Sequence, residues 1–559
     1  MLRPLLMVAL MSAAIPMSAL AQTADQLKND DNSPGDVLMY GMGYSQHRYS
    51  PLTNVNRQTV KRLVPAWSYS MADNRGLEGQ ALFHDGVVYL TDHEKTVAID
   101  ALTGREIWKA MIEYPPETTR VVCCGIVNRG AALYDGKLYR GTLDANVIAL
   151  DIKTGKEVWR TKSSDPKDGY SMTGAPLVAN GVVIAGVAGA EYGIRGYLEG
   201  FDAQTGKSLW RTYTIPSPGE PGSETWSGDT GTHGGGSTWI TGSYDPDLDL
   251  VFWGVGNPAP WNPLNRKGDN LYTNSVFAIS PKTGKVAWHF QMTPHDPFDY
   301  DGVNEWIQAD LPVGGQTRKV IMQANRNGFL YVIERATGKL IAANPFVKVT
   351  WAEGIDKETG RPIWSDDTKA VIEKGEKRLI YPGVSGGKNW GPMSFDPKSN
   401  TLFINTNDWG MNYEPAPVEQ VANLKAGQPH YGVKFPSVFD PDFRGHLRAV
   451  DPLTGKSKWA LPFKSPNIAG TMVTAGGLVF TGTLTGEFIA VDADSGKMVW
   501  HFQTPSGIVG QPIAWEKDGK EYITVTSGIG GVYALKTADP NIAHVPAGGT
   551  LWTFKLFED

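Results

Sequence analysis

One phrase returns along the chain, and seven copies of it set the pattern: an apolar residue, Asp, two variable positions, Thr-Gly and, a few residues later, Trp. It reads Ile99-Asp100, Thr103-Gly104 and Trp108, and recurs around Gly155 with Trp159, Gly206 with Trp210, Gly455 with Trp459 and Gly496 with Trp500. Two copies vary more. Ser280 replaces the aspartate ahead of Gly284 and Trp288, and Glu334 replaces it ahead of Gly338, where the tryptophan is lost. An alternating apolar strand, a turn whose glycine supplies positive φ, and a second strand running to Trp make a β-hairpin. The stretches before the copies alternate as well, as at 86–90 and 136–140, so each unit reads as three or four antiparallel strands with no helical period.

Successive glycines of the phrase lie 51, 51, 78, 54, 117 and 41 residues apart. Units of 40–54 residues are the size of propeller blades. The longest gap has room for a unit whose phrase has decayed, and Met393–Asp396 with Thr401–Ile404 reads as its strands. Seven copies and one more predict an all-β, eight-bladed β-propeller of four-stranded antiparallel blades, closed by pairing its terminal strands. The repeated Trp and Gly residues read as packing between blades. The Thr-Gly-Lys-Ser strings at 205–208 and 454–457 read as turns, because Phe201 and Val450 stand where a phosphate loop needs its first glycine.

Composition agrees with a folded, non-nucleic-acid-binding chain. Of 559 residues 41% are hydrophobic, enough to fill a large core, and 64 are glycine. With 52 basic against 58 acidic residues the net charge is −6, which offers no basic face for phosphates. Residues 1–21 read as a secretory signal: Arg3, an apolar stretch from Leu5 to Leu20, and the small-x-small exit Ala19-Leu20-Ala21. Cleavage is expected near Ala21–Gln22, leaving 22–559 as one exported propeller domain without a membrane span.

Four stretches interrupt the blades with unusual chemistry. Residues 121–130 hold adjacent Cys123 and Cys124, the chain's two cysteines. A bridge between neighbours would close almost no loop and would strain the peptide between them, the kind of strain found at functional surfaces; two buried thiols are the other reading. Cys-x-x-Cys-His and a spaced zinc set are both missing. Residues 186–191 end in Glu191 after small residues, 233–239 lead to 254–261, and 293–302 are rich in carboxylate. In an extended segment Asp299 and Asp301 project to one face and repel unless a cation sits between them or one is protonated. A hard cation with oxygen ligands would answer that, and a solvated acidic turn would too. His233 and His295 have no partner at ligand spacing.

Together, the blade phrase, Cys-Cys-x-x-Val-Asn-Arg-Gly, Gly-Ala-Glu, Gly-Asn-Pro-Ala-Pro-Trp-Asn and Thr-Pro-His-Asp-x-x-Asp resemble the quinoprotein alcohol dehydrogenases, over essentially the whole of 44–552. The resemblance implies a periplasmic propeller that holds pyrroloquinoline quinone beside a metal on its axis. It implies that Cys123 and Cys124 form a vicinal disulfide on one face of the quinone and Trp239 the floor on the other. Glu78, Arg129, Thr173 and Ser237 would bind the polar rim, Arg326 and Asn389 the quinone oxygens, and Gly189 and Ala190 would line the same edge. Ala188 stands where relatives often have Ser. Glu191, Asn257 and Asp299 match the metal ligands, and Asp299 also matches the base. Asp301 occupies a position that is small and uncharged in calcium-using relatives and acidic in lanthanide-dependent ones. Three carboxylates match a trivalent ion, so the resemblance implies a lanthanide, with calcium as the alternative.

The implied reaction is oxidation of a primary alcohol to an aldehyde by hydride transfer, with the ion as Lewis acid and Asp299 as general base. Without a haem motif, the electrons are expected to leave to a separate soluble cytochrome c. Relatives are often homodimers. A non-catalytic envelope scaffold would need the blades but not these site residues together, and the membrane-bound glucose dehydrogenases carry spanning helices ahead of their propeller.

Overall fold

The repeated phrase folds as a carboxylate-capped turn. Asp100 Oδ1 accepts the Thr103 N–H at 2.8 Å and the Thr103 hydroxyl at 2.7 Å, while the Gly104 N–H closes onto the Asp100 carbonyl at 2.8 Å with φ at +72°. Asp151, Asp202, Asp451 and Asp492 make the same turn. One residue before each turn the strand register slips, as between Ala98 and Ile99 and between Ala490 and Val491. The bulge adds twist where the hairpin closes. Both Thr-Gly-Lys-Ser strings lie in such turns.

The structure is a computed structural model that describes residues 22–73, 75–421, 427–429, 431–531 and 539–558. Residues 1–21, the expected signal, lie outside the described residues. Among the described residues, eight four-stranded antiparallel blades follow one another. The first is Leu82–His84, Val87–Thr91, Lys95–Asp100 and Glu106–Met111. Its inner strands are buried and its outermost strand is largely exposed, a pattern repeated around the ring. Short strands Asp36–Val37 and Tyr49–Ser50 extend the inner edges of the first and seventh blades.

Each outermost strand carries its tryptophan to the next blade. Trp108 Nε1 donates to the Ile152 carbonyl at 3.0 Å, Trp159 to Ala203 at 3.1 Å, Trp210 to Pro281 at 2.8 Å and Trp459 to Ala493 at 2.9 Å. The ring lies on the turn glycine of that blade, so a Cβ on Gly206 would come within 2.5 Å of Trp159. Where the fifth blade has lost its tryptophan, Asn344 Nδ2 donates to the Leu453 carbonyl at 2.8 Å in its place.

The eighth blade is not where the long glycine gap suggested. Ser394–Asp396 and Thr401–Asn407 are the first two strands of the blade whose phrase is Val450–Trp459. The gap is filled instead by an insertion: a hairpin of Ala352–Ile355 and Pro362–Trp364, a helix Asp366–Lys374, and a small sheet of Arg378–Ile380, Gly410–Pro415, Val433–Lys434 and Ser437–Val438. The hairpin repeats the capped turn, with Asp356 Oδ1 accepting Thr359 N–H at 2.7 Å, outside any blade. The eighth blade joins Ile513–Lys517, Lys520–Ser527 and Thr550–Leu556 to Leu63–Ser70 from the other end of the chain. Its two outer strands have no turn between them, so the phrase cannot occur there. Pairing of terminal strands closes the ring as expected.

Candidate active site

The chain reaches the site by two recurring routes. Glu78, Arg129, Thr173, Ser237 with Trp239, Asp299 with Asp301, and Asn389 each lie a few residues ahead of the innermost strand of six successive blades. Glu191, Asn257 and Arg326 sit in the connections between the second and third strands of the third, fourth and fifth blades. Both kinds of connection open on one end of the propeller. There they enclose a cavity of about 340 Å³ lined by all of these residues except Asn257, together with Cys123, Cys124 and Gly189. Asn257 and Ala190 are buried and are not among the lining residues.

Cys123 and Cys124 are joined by a disulfide, and Cys124 has φ at +71°, an uncommon backbone for a side chain with a Cβ. Glu78 pairs with Arg129 at 2.8 Å, Arg129 donates to Thr173 Oγ1 at 2.9 Å, and its guanidinium lies over the rings of Trp239 at 4.7 Å and Trp390 at 5.0 Å. Asn389 Nδ2 donates to the Ser385 carbonyl at 2.8 Å. One Glu191 oxygen lies within 4.8 Å of both disulfide sulfurs.

The cation between the paired aspartates is Arg326. Its guanidinium reaches Asp299 Oδ2 and Asp301 Oδ2, each at 2.6 Å. The segment is not extended, because Asp299 has φ at +62°. Asp296 sets that bend: its carboxylate accepts the N–H groups of Phe298 at 2.8 Å and Tyr300 at 2.7 Å, on either side of Asp299. Asp301 Oδ1 accepts the Asn257 N–H at 2.7 Å. Gly256 makes that approach possible, since a Cβ there would fall 2.5 Å from Asp301 Oδ1 and 2.8 Å from Ser237 Oγ. Burial pushes the Asp299 carboxyl well above the usual range, against the pull of Arg326 and with added push from Asp301 and Glu191. Burial also raises Asp301 and Glu78, each partly offset by its arginine. Asp299 Oδ1 and Asn257 Oδ1 are buried oxygens with no hydrogen-bond partner among the described residues, the chemistry a hard cation would satisfy.

The insertion adds a wall of residues that the sequence reading did not single out, built against Trp261 of the fourth blade's Gly-Asn-Pro-Ala-Pro-Trp-Asn stretch. Trp261, Tyr431 and Phe435 form an aromatic corner, with ring centroids 4.8 Å apart for Trp261–Tyr431 and 5.2 Å for Trp261–Phe435. With Trp409 and Val384 they line the same cavity. Asp296 was visible as the first aspartate of Thr-Pro-His-Asp-x-x-Asp, with no role attached to it. His233 and His295 face backbone carbonyls, of Gly193 at 3.0 Å and Gly268 at 2.6 Å.

Residues 38–349 and 442–523 match the family described as "PQQ: Glucose/ethanol/alcohol dehydrogenase, beta-propeller domain". The chain is 40% identical to the quinoprotein alcohol dehydrogenase PedH of Pseudomonas putida, over 99% of this chain and 97% of that one. It belongs to the PQQ-dependent alcohol dehydrogenase family. This quinoprotein is also 40% identical to a quinoprotein ethanol dehydrogenase of Pseudomonas aeruginosa, over 96% of this chain and 94% of the relative. Among solved structures, a europium-containing methanol dehydrogenase superposes with a TM-score of 0.90 at 36% identity, covering 95% of this chain and 100% of that one. The chain is therefore an alcohol dehydrogenase that uses pyrroloquinoline quinone and a metal ion. The stretch between the two matched segments holds Asn389 and most of the aromatic wall. No helix among the described residues is long and apolar enough to cross a membrane.

Proposed function

We propose that this dehydrogenase oxidises primary alcohols to aldehydes, with Asp299 as the general base and a lanthanide ion beside the quinone. The observation that carries the reading is Asp299 itself, a buried carboxylate in the cavity wall with Oδ2 held by Arg326 and Oδ1 without a hydrogen-bond partner among the described residues. When bound, the quinone supplies the hydride acceptor and the ion the Lewis acid that polarises it.

The chain's own residues do the rest. Asp299 takes the hydroxyl proton of the alcohol at Oδ1, for which it must be ionised; the cation would hold it so against burial. Arg326 fixes the other oxygen, so the base cannot rotate away. Glu191, Asn257, Asp299 and Asp301 would hold the ion. Trp239 and the Cys123–Cys124 disulfide would cover the two faces of the quinone, and Glu78, Arg129, Thr173, Ser237, Gly189, Ala190 and Asn389 would set its edge. The aromatic corner keeps water from the reacting alcohol.

Asp301 favours a lanthanide over calcium, because with Glu191 and Asp299 it raises the carboxylates lining the site to three. The solved relative described as europium-containing is in keeping with that choice. We further assign residues 1–21 to a cleaved export signal, and the site of action to the periplasm. Gln22, the first described residue, accepts the N–H groups of Asp135 and Gly136 in the second blade. Electrons would pass to a separate cytochrome c, since both cysteines are engaged in the disulfide at the cavity wall. The deciding experiment reconstitutes apo-protein with the quinone and either La³⁺ or Ca²⁺ and follows dye reduction by ethanol. Turnover is expected with La³⁺. Equal or greater turnover with Ca²⁺ would reject the lanthanide.

A further inference from the structure

Behind the wall that carries Asn389 and Trp390 lies an ion pair sealed from water. The side chains of Lys388 and Glu305 are each 1% exposed, and Lys388 Nζ donates to Glu305 Oε2 at 2.8 Å. The same ammonium donates to the Asn389 carbonyl at 3.0 Å. Glu305 Oε1 accepts the Met393 N–H at 2.7 Å. The pair therefore grips residues 388–393 near both ends, with Asn389 and Trp390 inside the grip. Glu305 also belongs to the approach to Ile307–Val313 that delivers Asp299 and Asp301. One ion pair thus joins the segment of the base to the neighbouring stretch of cavity wall.

Sealing two charges from water costs several kcal/mol per ion, and an apolar pair of similar volume serves a core as well or better. Stability is therefore a poor reason for this pair. We propose that Lys388 is a positioning residue for the quinone: by holding the Asn389 carbonyl it fixes the Asn389–Trp390 wall, and through Glu305 it ties that wall to the segment bearing Asp299. The local geometry shows how a shift would be felt. Trp390 N–H donates to Asn389 Oδ1 at 2.9 Å, and the Trp390 ring carries the Arg129 guanidinium. Movement of residue 389 displaces the amide at the quinone edge and the ring under Arg129 together. Buried Arg48 also feels the Glu305 charge but is held by Gln46 and Gln511, so removing Lys388 and Glu305 together leaves it its hydrogen bonds.

The inference rests on the cavity being the quinone site. Its test compares K388M, K388Q and the charge-free double variant K388M/E305Q with wild type, each titrated with quinone in the presence of metal. Binding is read by the absorption of the bound quinone, folding by thermal melting of the apo-protein, and turnover by dye reduction. The Gln side chain keeps a donor for the Asn389 carbonyl and Met does not. K388Q should hold quinone within about threefold of wild type, while K388M and the double variant lose at least tenfold in affinity, with a shifted absorption band. The double variant should melt close to wild type. Equal quinone affinity in K388M and K388Q, or wild-type affinity in a folded double variant, would overturn the positioning role. Failure of the wild-type chain to take up quinone would instead overturn the reading of the cavity.

Discussion

At the scale of single residues, the site works by placing acids where water cannot screen them and then limiting their freedom. Asp299 is bent by Asp296 and held at one oxygen by Arg326. D299N keeps the shape and removes the base, so kcat is expected to fall by at least 10²-fold with quinone still bound; steady-state kinetics and quinone titration check this together. Gly256 is a second point of control. In G256A the new Cβ would collide with Asp301 Oδ1, and overpacking of roughly 1–3 kcal/mol should weaken metal affinity about tenfold or more. A metal titration of the variant against wild type measures it. Most of these residues were legible in the sequence because their motifs are short, unusual and break a strict repeat. What could not be read was how they meet. Spacing suggested that Asp299 and Asp301 face a cation along an extended strand, whereas a positive φ at Asp299 and a guanidinium from a later connection of the same blade bring the two carboxylates together. Nor did spacing single out Trp409, Tyr431 or Phe435, which lie in an insertion with no period to break.

At the scale of the element, the hairpin and its tryptophan are the unit of construction. The capped turn makes the last hairpin of a blade rigid, and the indole then reaches the neighbouring blade's turn. W210F would keep the ring on Gly284 and lose the bond to the Pro281 carbonyl. Leaving that carbonyl unpaired should cost about 1–2 kcal/mol of stability, measured by denaturant unfolding, with kcat unchanged. The same phrase, which marks seven of the eight blades, also occurs outside them. Its copy at Asp356–Trp364 folds the same turn on an inserted hairpin, and the last blade carries no copy because its outer strands come from opposite ends of the chain. Sequence periodicity reports local turns faithfully. It is silent about which strands a turn will join.

At the scale of the molecule, the two ends of the chain are held in one blade, and Glu521 is part of the join: its Oε2 accepts the Val55 N–H at 2.9 Å. Burial pushes the Glu521 carboxyl up to about 7, so the folded protein binds its proton more tightly than the unfolded chain does. The stability this group contributes is full below the unfolded value near 4.5 and is lost as pH rises towards 7, on the order of 2–3 kcal/mol. E521Q cannot lose a proton, so relative to wild type it should gain about that much between pH 5 and pH 7.5, read from denaturant midpoints at the two values.

The join has a further consequence. Leu63–Ser70 is made early and its partner Thr550–Leu556 among the last residues of the chain. Through most of synthesis and folding, the first of these strands therefore offers a bare row of peptide groups that no local hairpin can satisfy. Contacts of such sequence separation form slowly, so the rate-limiting passage is expected to be ring closure, and an incomplete ring is the species most exposed to pairing with another copy of itself.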